Sequence, residues 1–289
     1  MDTAFVEPSI LPQSTEVCEE DRPFHHYSLK HRLIAWISKK LCDRLTYTAR
    51  HGLIQGMRRK GGLGWIPLLA RPGSGSLEER FWRSQDLKGR VVYDVGAFEG
   101  MLTMFFSAQC ARVVSYEPNS INRARLLENI KLNALANVTV RELGVGARAD
   151  MGELVFTPLM TGGGSLEPKR AAQLKTSRDA ASERIQVTTL DQDIAEAGLP
   201  APDIVKIDIE GLELEALKGA SQTLSAYRPD LFLEMHGETL REKKRKVIEI
   251  VEWLTQAGYR NLWHVETQTP ITPENAIAAM EGHLYCRMC

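Results

Sequence analysis

Five side chains stand where they can do chemistry: Asp94, Glu117, Asp208, Glu234 and His236. Short apolar runs lead into them. Val91-Val92-Tyr93 runs into Asp94, Val113 to Tyr116 into Glu117, Ile204 to Ile207 into Asp208, and Leu231-Phe232-Leu233 into Glu234. Such runs read as buried strands. Acids placed where successive parallel strands end share one rim of the sheet, and in open α/β sheets ligands bind beyond that rim, at the switch in strand order. His236 follows Glu234 on the same strand face. An imidazole there is a general base titrating near neutral pH, a metal ligand beside Asp208 or Glu234, or a structural group.

The segment VVYDVGAFEG, residues 91–100, reads as strand, tight turn and helix start. A carboxylate at that turn, Asp94, repels a pyrophosphate and suits a cofactor with a cationic amino-acid end, such as S-adenosylmethionine. The dinucleotide fingerprint G-x-G-x-x-G fails here, because counting from Gly96 its later glycine positions hold Phe98 and Met101. Glu117 lies 21 residues after Gly96, where an acid accepts both hydroxyls of a ribose. The next strand ends at Leu143-Gly144, suited to backbone or apolar contact with adenine. In VKIDIEGLELEALKGA, residues 205–220, Lys206 and Asp208 share a strand face by the period of two, so they are expected to pair. Glu210, Glu213 and Glu215 open the following helix, where negative charge meets the positive end of the helix dipole.

Alternating strand and helix patterns position these groups. Strands are expected at 90–95, 112–118, 137–143, 203–209 and 230–236, with helices following to about 109 and over 120–134, 212–226 and 240–257. Leu126, Leu127 and Ile130 are expected to face inward. Residues 151–168 read as a strand and a Gly-rich loop, and 185–194 as a strand entering a short helix. The loop 157–184, with Lys169, Arg170, Lys175 and Arg178, is expected to border a second substrate or to be solvated. Ahead of the sheet, residues 1–26 read as a disordered arm and 27–84 as a helical extension, leaving 85–289 as the α/β domain. Within the extension, residues 28–60 carry a helical stripe from Leu29 to Leu45 and many basic residues. Packing on the domain is the expected role of that helix, with contact to an anionic membrane surface as the alternative.

The chain has 289 residues, 43% of them hydrophobic and 25% charged, with a net charge of −1, as in an ordinary soluble domain without a global field toward nucleic acid. The run REKKRK at 241–246 has no aromatic stacking platform and reads as a helix face. No apolar run reaches the roughly 18 residues of a membrane span, and the acidic, Pro-containing start does not resemble a signal peptide. Five scattered cysteines make no disulfide framework, and Cys286-x-x-Cys289 lacks a second ligand pair for zinc. A cytoplasmic protein without a dedicated metal site is expected.

The motifs VVYDVGAFEG, SYEPN and VKIDIEGLELEALKGA, with the GGGSL and EMH segments, resemble the FkbM family of S-adenosylmethionine-dependent methyltransferases over about residues 85–265. The sequence departs from the family pattern at Phe98-Glu99. The resemblance implies a Rossmann-like, class I methyltransferase fold: a seven-stranded, mostly parallel sheet flanked by helices, with the last strand antiparallel. It also implies O-methylation of a sugar, glycan or secondary-metabolite hydroxyl. Asp94, Gly96, Gly100, Glu117, Asn119, Leu143, Gly144 and Asp208 would bind S-adenosylmethionine, while His236 and Asp208 would serve catalysis. A nicotinamide-dependent oxidoreductase and a non-catalytic cofactor- or partner-binding module are the alternatives.

Overall fold

The computed structural model describes residues 38–62 and 76–288, together with Glu20 and Trp36. Apart from Glu20, the expected arm lies outside the described residues, as do most of the first half of the basic segment, the connector 63–75 and Cys289.

The described part of the basic segment is not a continuous helix. A π-helical turn at Ser38–Cys42 gives way to an antiparallel hairpin of β1 (Thr46–Thr48) and β2 (Arg58–Lys60). Two Thr residues flanking Tyr47 favour the strand, and Leu41 of the supposed apolar stripe is 70% exposed. The hairpin docks on the domain. The Arg58 and Lys60 N–H groups donate to the Asn133 and Asn129 side chains at 2.7 and 3.0 Å, and Arg59 pairs with Glu99 at 2.9 Å.

The α/β part runs α1 (Leu77–Ser84), β3 (Val91–Val95), α2 (Met101–Ser107), β4 (Arg112–Tyr116), α3 (Ser120–Leu132) and β5 (Val138–Arg141). Next come β6 (Gly144–Val145), β7 (Asp150–Thr157), β8 (Met160–Ser165), α4 (Pro168–Lys175), β9 (Ala181–Thr188) and α5 (Leu190–Ala197). The chain then forms β10 (Ile204–Ile207), α6 (Glu213–Lys218), α7 (Ser221–Tyr227), β11 (Asp230–Glu234) and α8 (Leu240–Gln256). It closes with β12 (Tyr259–His264), β13 (Thr269–Ile271) and β14 (His283–Met288). The main sheet has the order β13-β12-β14-β11-β10-β3-β4-β5. The five strands from β5 to β11 are parallel, and β14, the last in the chain, runs antiparallel to both its neighbours. This is the expected seven-stranded Rossmann-like sheet, enlarged to eight by β13, which folds back on β12.

The Gly-rich segment is strand rather than loop. It forms β8 in a separate sheet of order β6-β9-β7-β8. A Cβ on Gly164 would approach the Phe156 Cβ to 3.0 Å, so its bareness lets β8 lie close to β7. Of the three residues expected to face inward from α3, Leu126 is buried and Ile130 half-buried, but Leu127 is 46% exposed. Among the described residues no helix is long and apolar enough to cross a membrane.

Alternation divides the central strands between two cores. Tyr93, Val95, Val205, Ile207, Leu231 and Leu233 face the core containing α6, α7 and α8. Val92, Val113, Ile204 and Phe232 face α1 and α2. Burial on both faces accounts for the near-continuous apolar runs. Helix α1 belongs to this core, so the expected boundary after residue 84 does not separate two packing units. Trp82 is fully buried, with its ring 4.5 Å from Phe232 and 4.7 Å from Phe106, centroid to centroid.

Its indole N–H has no partner among the described residues. Trp82→Ala is therefore expected to cost about 3–5 kcal/mol in urea denaturation, and Trp82→Phe markedly less, because it keeps most of the packing and discards an unpaired donor.

Candidate functional site

Strand order reverses between β3 and β10, and a cavity of about 220 Å³ opens beyond their carboxyl ends. Gly96, Glu117, Asn119, Leu143, Gly144, Asp208 and His236 all line it, so most residues chosen from the sequence meet in one place. The small sheet supplies the opposite wall through Leu154, Thr161, Gly162 and Gly164. Gly96 is required by the close approach of β10: a Cβ there would stand 1.9 Å from the Asp208 carbonyl oxygen, and its φ is +83°.

Asp94 and Gly100 are not in the wall. Asp94 is fully buried. Its Oδ2 accepts from the Thr103 hydroxyl at 2.6 Å, and its Oδ1 lies 3.3 Å from Lys206 Nζ. Its neighbour across the ladder is Lys206, so its charge serves an internal ion pair rather than facing a ligand. Gly100 makes room for α3, because a Cβ there would fall 2.3 Å from Leu126 Cδ1. Neither displacement is visible in a linear motif, since each depends on a partner brought in by the fold.

At one end of the cavity Glu117 is held by backbone and amide donors. The Phe98 N–H donates to Oε2 at 2.7 Å, and the Asn119 N–H and Asn122 Nδ2 donate to Oε1 at 2.9 and 3.4 Å. Burial outweighs these bonds and pushes its carboxyl up to about 7. Asn119 caps α3, its Oδ1 accepting the Ile121 and Asn122 N–H groups at 3.0 and 3.1 Å. Among the described residues Asn119 Nδ2 and Asn122 Oδ1 are buried without a hydrogen-bond partner, and both residues line the cavity. Unmet polar groups of this kind are costly, and a polar ligand in the cavity would satisfy them.

At the other end, His236 sits among carboxylates. Its Nδ1 contacts Glu213 Oε1 at 2.9 Å, while Nε2 faces Glu210, Glu234 and Asp208 oxygens at 3.6, 3.7 and 3.8 Å. Asp208 Oδ2 is engaged by Lys206 at 3.2 Å, and Glu210 by Arg170 at 2.8 Å. Burial disfavours the His236 charge, but the bond to Glu213 and the charges of Glu213, Glu210 and Asp208 prevail and raise its pKa to about 10. A ring protonated on both nitrogens at neutral pH cannot accept another proton. The surrounding carboxylates thus favour the protonated imidazole, which is a donor at both nitrogens. Burial also raises Asp208, but the Lys206 and His236 charges outweigh it and hold its pKa low. Burial, then the Asp208 charge, lifts Glu234 to about 7.

Three groups were missed or assigned smaller roles. Glu213, read as a helix-dipole acid, is 1% exposed; its Oε1 also accepts the Gly211 N–H at 2.9 Å. Its partner lies 23 residues away on another strand end, and no spacing rule reveals that. Arg170, read as a loop cation, is buried between Glu210 and Glu238. Phe98 covers the cavity in a left-handed conformation, φ +52°, with its ring close to Gly162.

The chain is 30% identical over 176 residues to the hexuronic acid methyltransferase AglP of Haloferax volcanii, covering 55% of this chain and 67% of that protein. It is 26% identical over 156 residues to methyltransferase sdnD of Sordaria araneosa, covering 45% and 60%. The solved methyltransferase FkbM from Methylobacillus flagellatus KT is similar at 22% identity and a TM-score of 0.45, over 68% of this chain and 43% of that one. SMU.1697c of Streptococcus mutans, solved with SAH, is similar at 14% identity and a TM-score of 0.44, over 76% and 99%. The model of the methyltransferase FkbM domain matches residues 94–261, more than half of the sequence, and the chain belongs to the FkbM methyltransferase family.

Proposed function

We propose that this S-adenosylmethionine-dependent methyltransferase acts on oxygen, methylating a hydroxyl of a sugar, glycan or secondary metabolite. The observation that carries this reading is the acid–imidazole cluster at the inner end of the cavity, opposite Glu117. The description of AglP as a hexuronic acid methyltransferase supports a sugar as acceptor.

Glu117 is the group to take the ribose hydroxyls, with the unpartnered Asn119 and Asn122 amides completing the polar lining. Leu143 and Gly144 leave a flat apolar edge for adenine. Gly96 keeps the floor clear, and Asp208 lies toward the reacting groups. Bound there, S-adenosylmethionine supplies a methyl group already activated by its sulfonium. What remains for the protein is to align an acceptor oxygen and remove its proton. Orientation contributes about 7–11 kcal/mol in the best cases. His236 presents positive charge to that oxygen, and the proton leaves toward the surrounding carboxylates rather than to the imidazole. Asp94 acts beneath the site, by holding Lys206.

Two measurements test this reading. Ribose binding needs ionised Glu117, so affinity for S-adenosylmethionine in calorimetry is expected to rise by up to about tenfold per pH unit between about pH 5 and 7 and then level off. Glu117→Gln should bind more weakly and flatten that slope; an unchanged slope removes Glu117 from the ribose. Labelled-methyl transfer should be followed into uronic acids, neutral glycosides and non-sugar alcohols, with amines and RNA as controls. Label in an oxygen-linked methyl is expected, with turnover falling about 10²-fold or more in His236→Ala. Label only on nitrogen would overturn the assignment.

A further inference from the structure

His236 Nε2 is ringed by carboxylate oxygens yet bonded to none, since 3.6, 3.7 and 3.8 Å exceed a hydrogen bond. Its orientation is nevertheless fixed. Glu213 holds Nδ1 at 2.9 Å, and the Gly211 N–H locks Glu213 in turn. A buried carboxylate on one ring nitrogen, with the other aimed at further oxygens, is the outer-shell arrangement that orients metal-binding histidines. One donor atom each from Asp208, Glu234 and His236 lie within 4.8 Å of one another. Donors about 2.1 Å from one ion stand about 3.0 Å apart when adjacent and about 4.2 Å when opposite. The distances of 3.7 and 3.8 Å fall between these limits.

The neighbours select these three as ligands. Lys206 occupies Asp208 Oδ2 and leaves Oδ1 turned to His236. Arg170 occupies Glu210 Oε2, which removes that acid from the set. Lys206 pairs with Asp94 and Asp208, and Arg170 with Glu210 and Glu238, while Glu213 and Glu234 face His236, with His283 3.8 Å from the second Glu234 oxygen. Six carboxylates thus share three cationic groups, Lys206, Arg170 and His236, and all three ligand residues border the open cavity.

We propose that Asp208, Glu234 and His236 bind one divalent cation of the manganese type, whose remaining coordination positions face the cavity and receive the acceptor's hydroxyl oxygen. Two carboxylates and one imidazole suit a cation between the oxygen-loving and nitrogen-loving classes. The hydroxyl part rests on the oxygen-methylation reading; the ion site stands without it.

Titration of the full chain with Mn2+, followed by loss of the free-ion EPR signal, tests the site directly. One ion per chain is expected for the wild type. Binding should weaken more than tenfold in His236→Ala and in Asp208→Asn, and about 10–100-fold in Glu213→Gln, which only orients the ring. Circular dichroism and urea denaturation of the same samples report that each variant is folded. Absence of stoichiometric Mn2+ binding by the wild type, or its survival in His236→Ala, overturns the site. If hydroxyl methylation persists undiminished after EDTA treatment, the ion's role toward the acceptor is overturned while the oxygen reading stands. If Mn2+ binds but no hydroxyl is methylated, the ion site stands and the oxygen reading falls.

Discussion

The floor of the cavity depends on one buried cation. Lys206 is almost inaccessible, and its Nζ lies 3.3 Å from Asp94, 3.2 Å from Asp208 and 2.9 Å from the Gly96 carbonyl. Burial works against its charge, but the two acids overcome that and raise its pKa. The ladder makes the arrangement possible, because Lys206 stands directly opposite Asp94 in the β10–β3 pair. These are the two strands flanking the switch in order. Charges buried this deeply persist only when paired and bonded. The polar row continues through Thr103 to Ser115 on β4, so three adjacent strands share it.

The same pairing sets the direction of the groups above it. With Oδ2 tied to Lys206, Asp208 offers Oδ1 to His236. Two residues further on, Glu210 adopts φ +58°, and at the first turn Phe98 adopts +52°. Left-handed conformations of non-glycine residues cost about 1–3 kcal/mol each and persist where their surroundings fix them. Here the surroundings are visible. Arg170 holds the Glu210 carboxylate, and the Phe98 N–H is bound to Glu117. Strain at each strand exit is thus coupled to a polar group lining the cavity.

How much of this was legible in the sequence follows from what each feature requires. Glu117, Asp208, Glu234 and His236 line one cavity because a strand's end is set by a local apolar run, and parallel strands bring their ends to one rim. The burial of Asp94 depends on a cross-strand register, which the run itself does not encode. The pairing of Lys206 with Asp208 was readable from the period of two; its second bond, to Asp94, was not. The hairpin at residues 46–60 was hidden by leucines at helical spacing, of which Leu41 and Leu45 are exposed. The Gly-rich strand was hidden because its stability comes from β7 alongside it rather than from its own residues.

The two ends of the cavity use different physics. Around Glu117 the groups are backbone N–H donors and side-chain amides fixed by the cap of α3, so selection there comes from hydrogen-bond geometry. Around His236 the groups are charges held by other charges, so selection comes from electrostatics. The wall between them is contributed by β7 and β8, outside the doubly wound sheet. Arg170 on α4 links this second sheet's segment to Glu210 in the charge cluster. Segment 150–188 thus shapes one wall of the cavity, while the strand ends carry its charged groups.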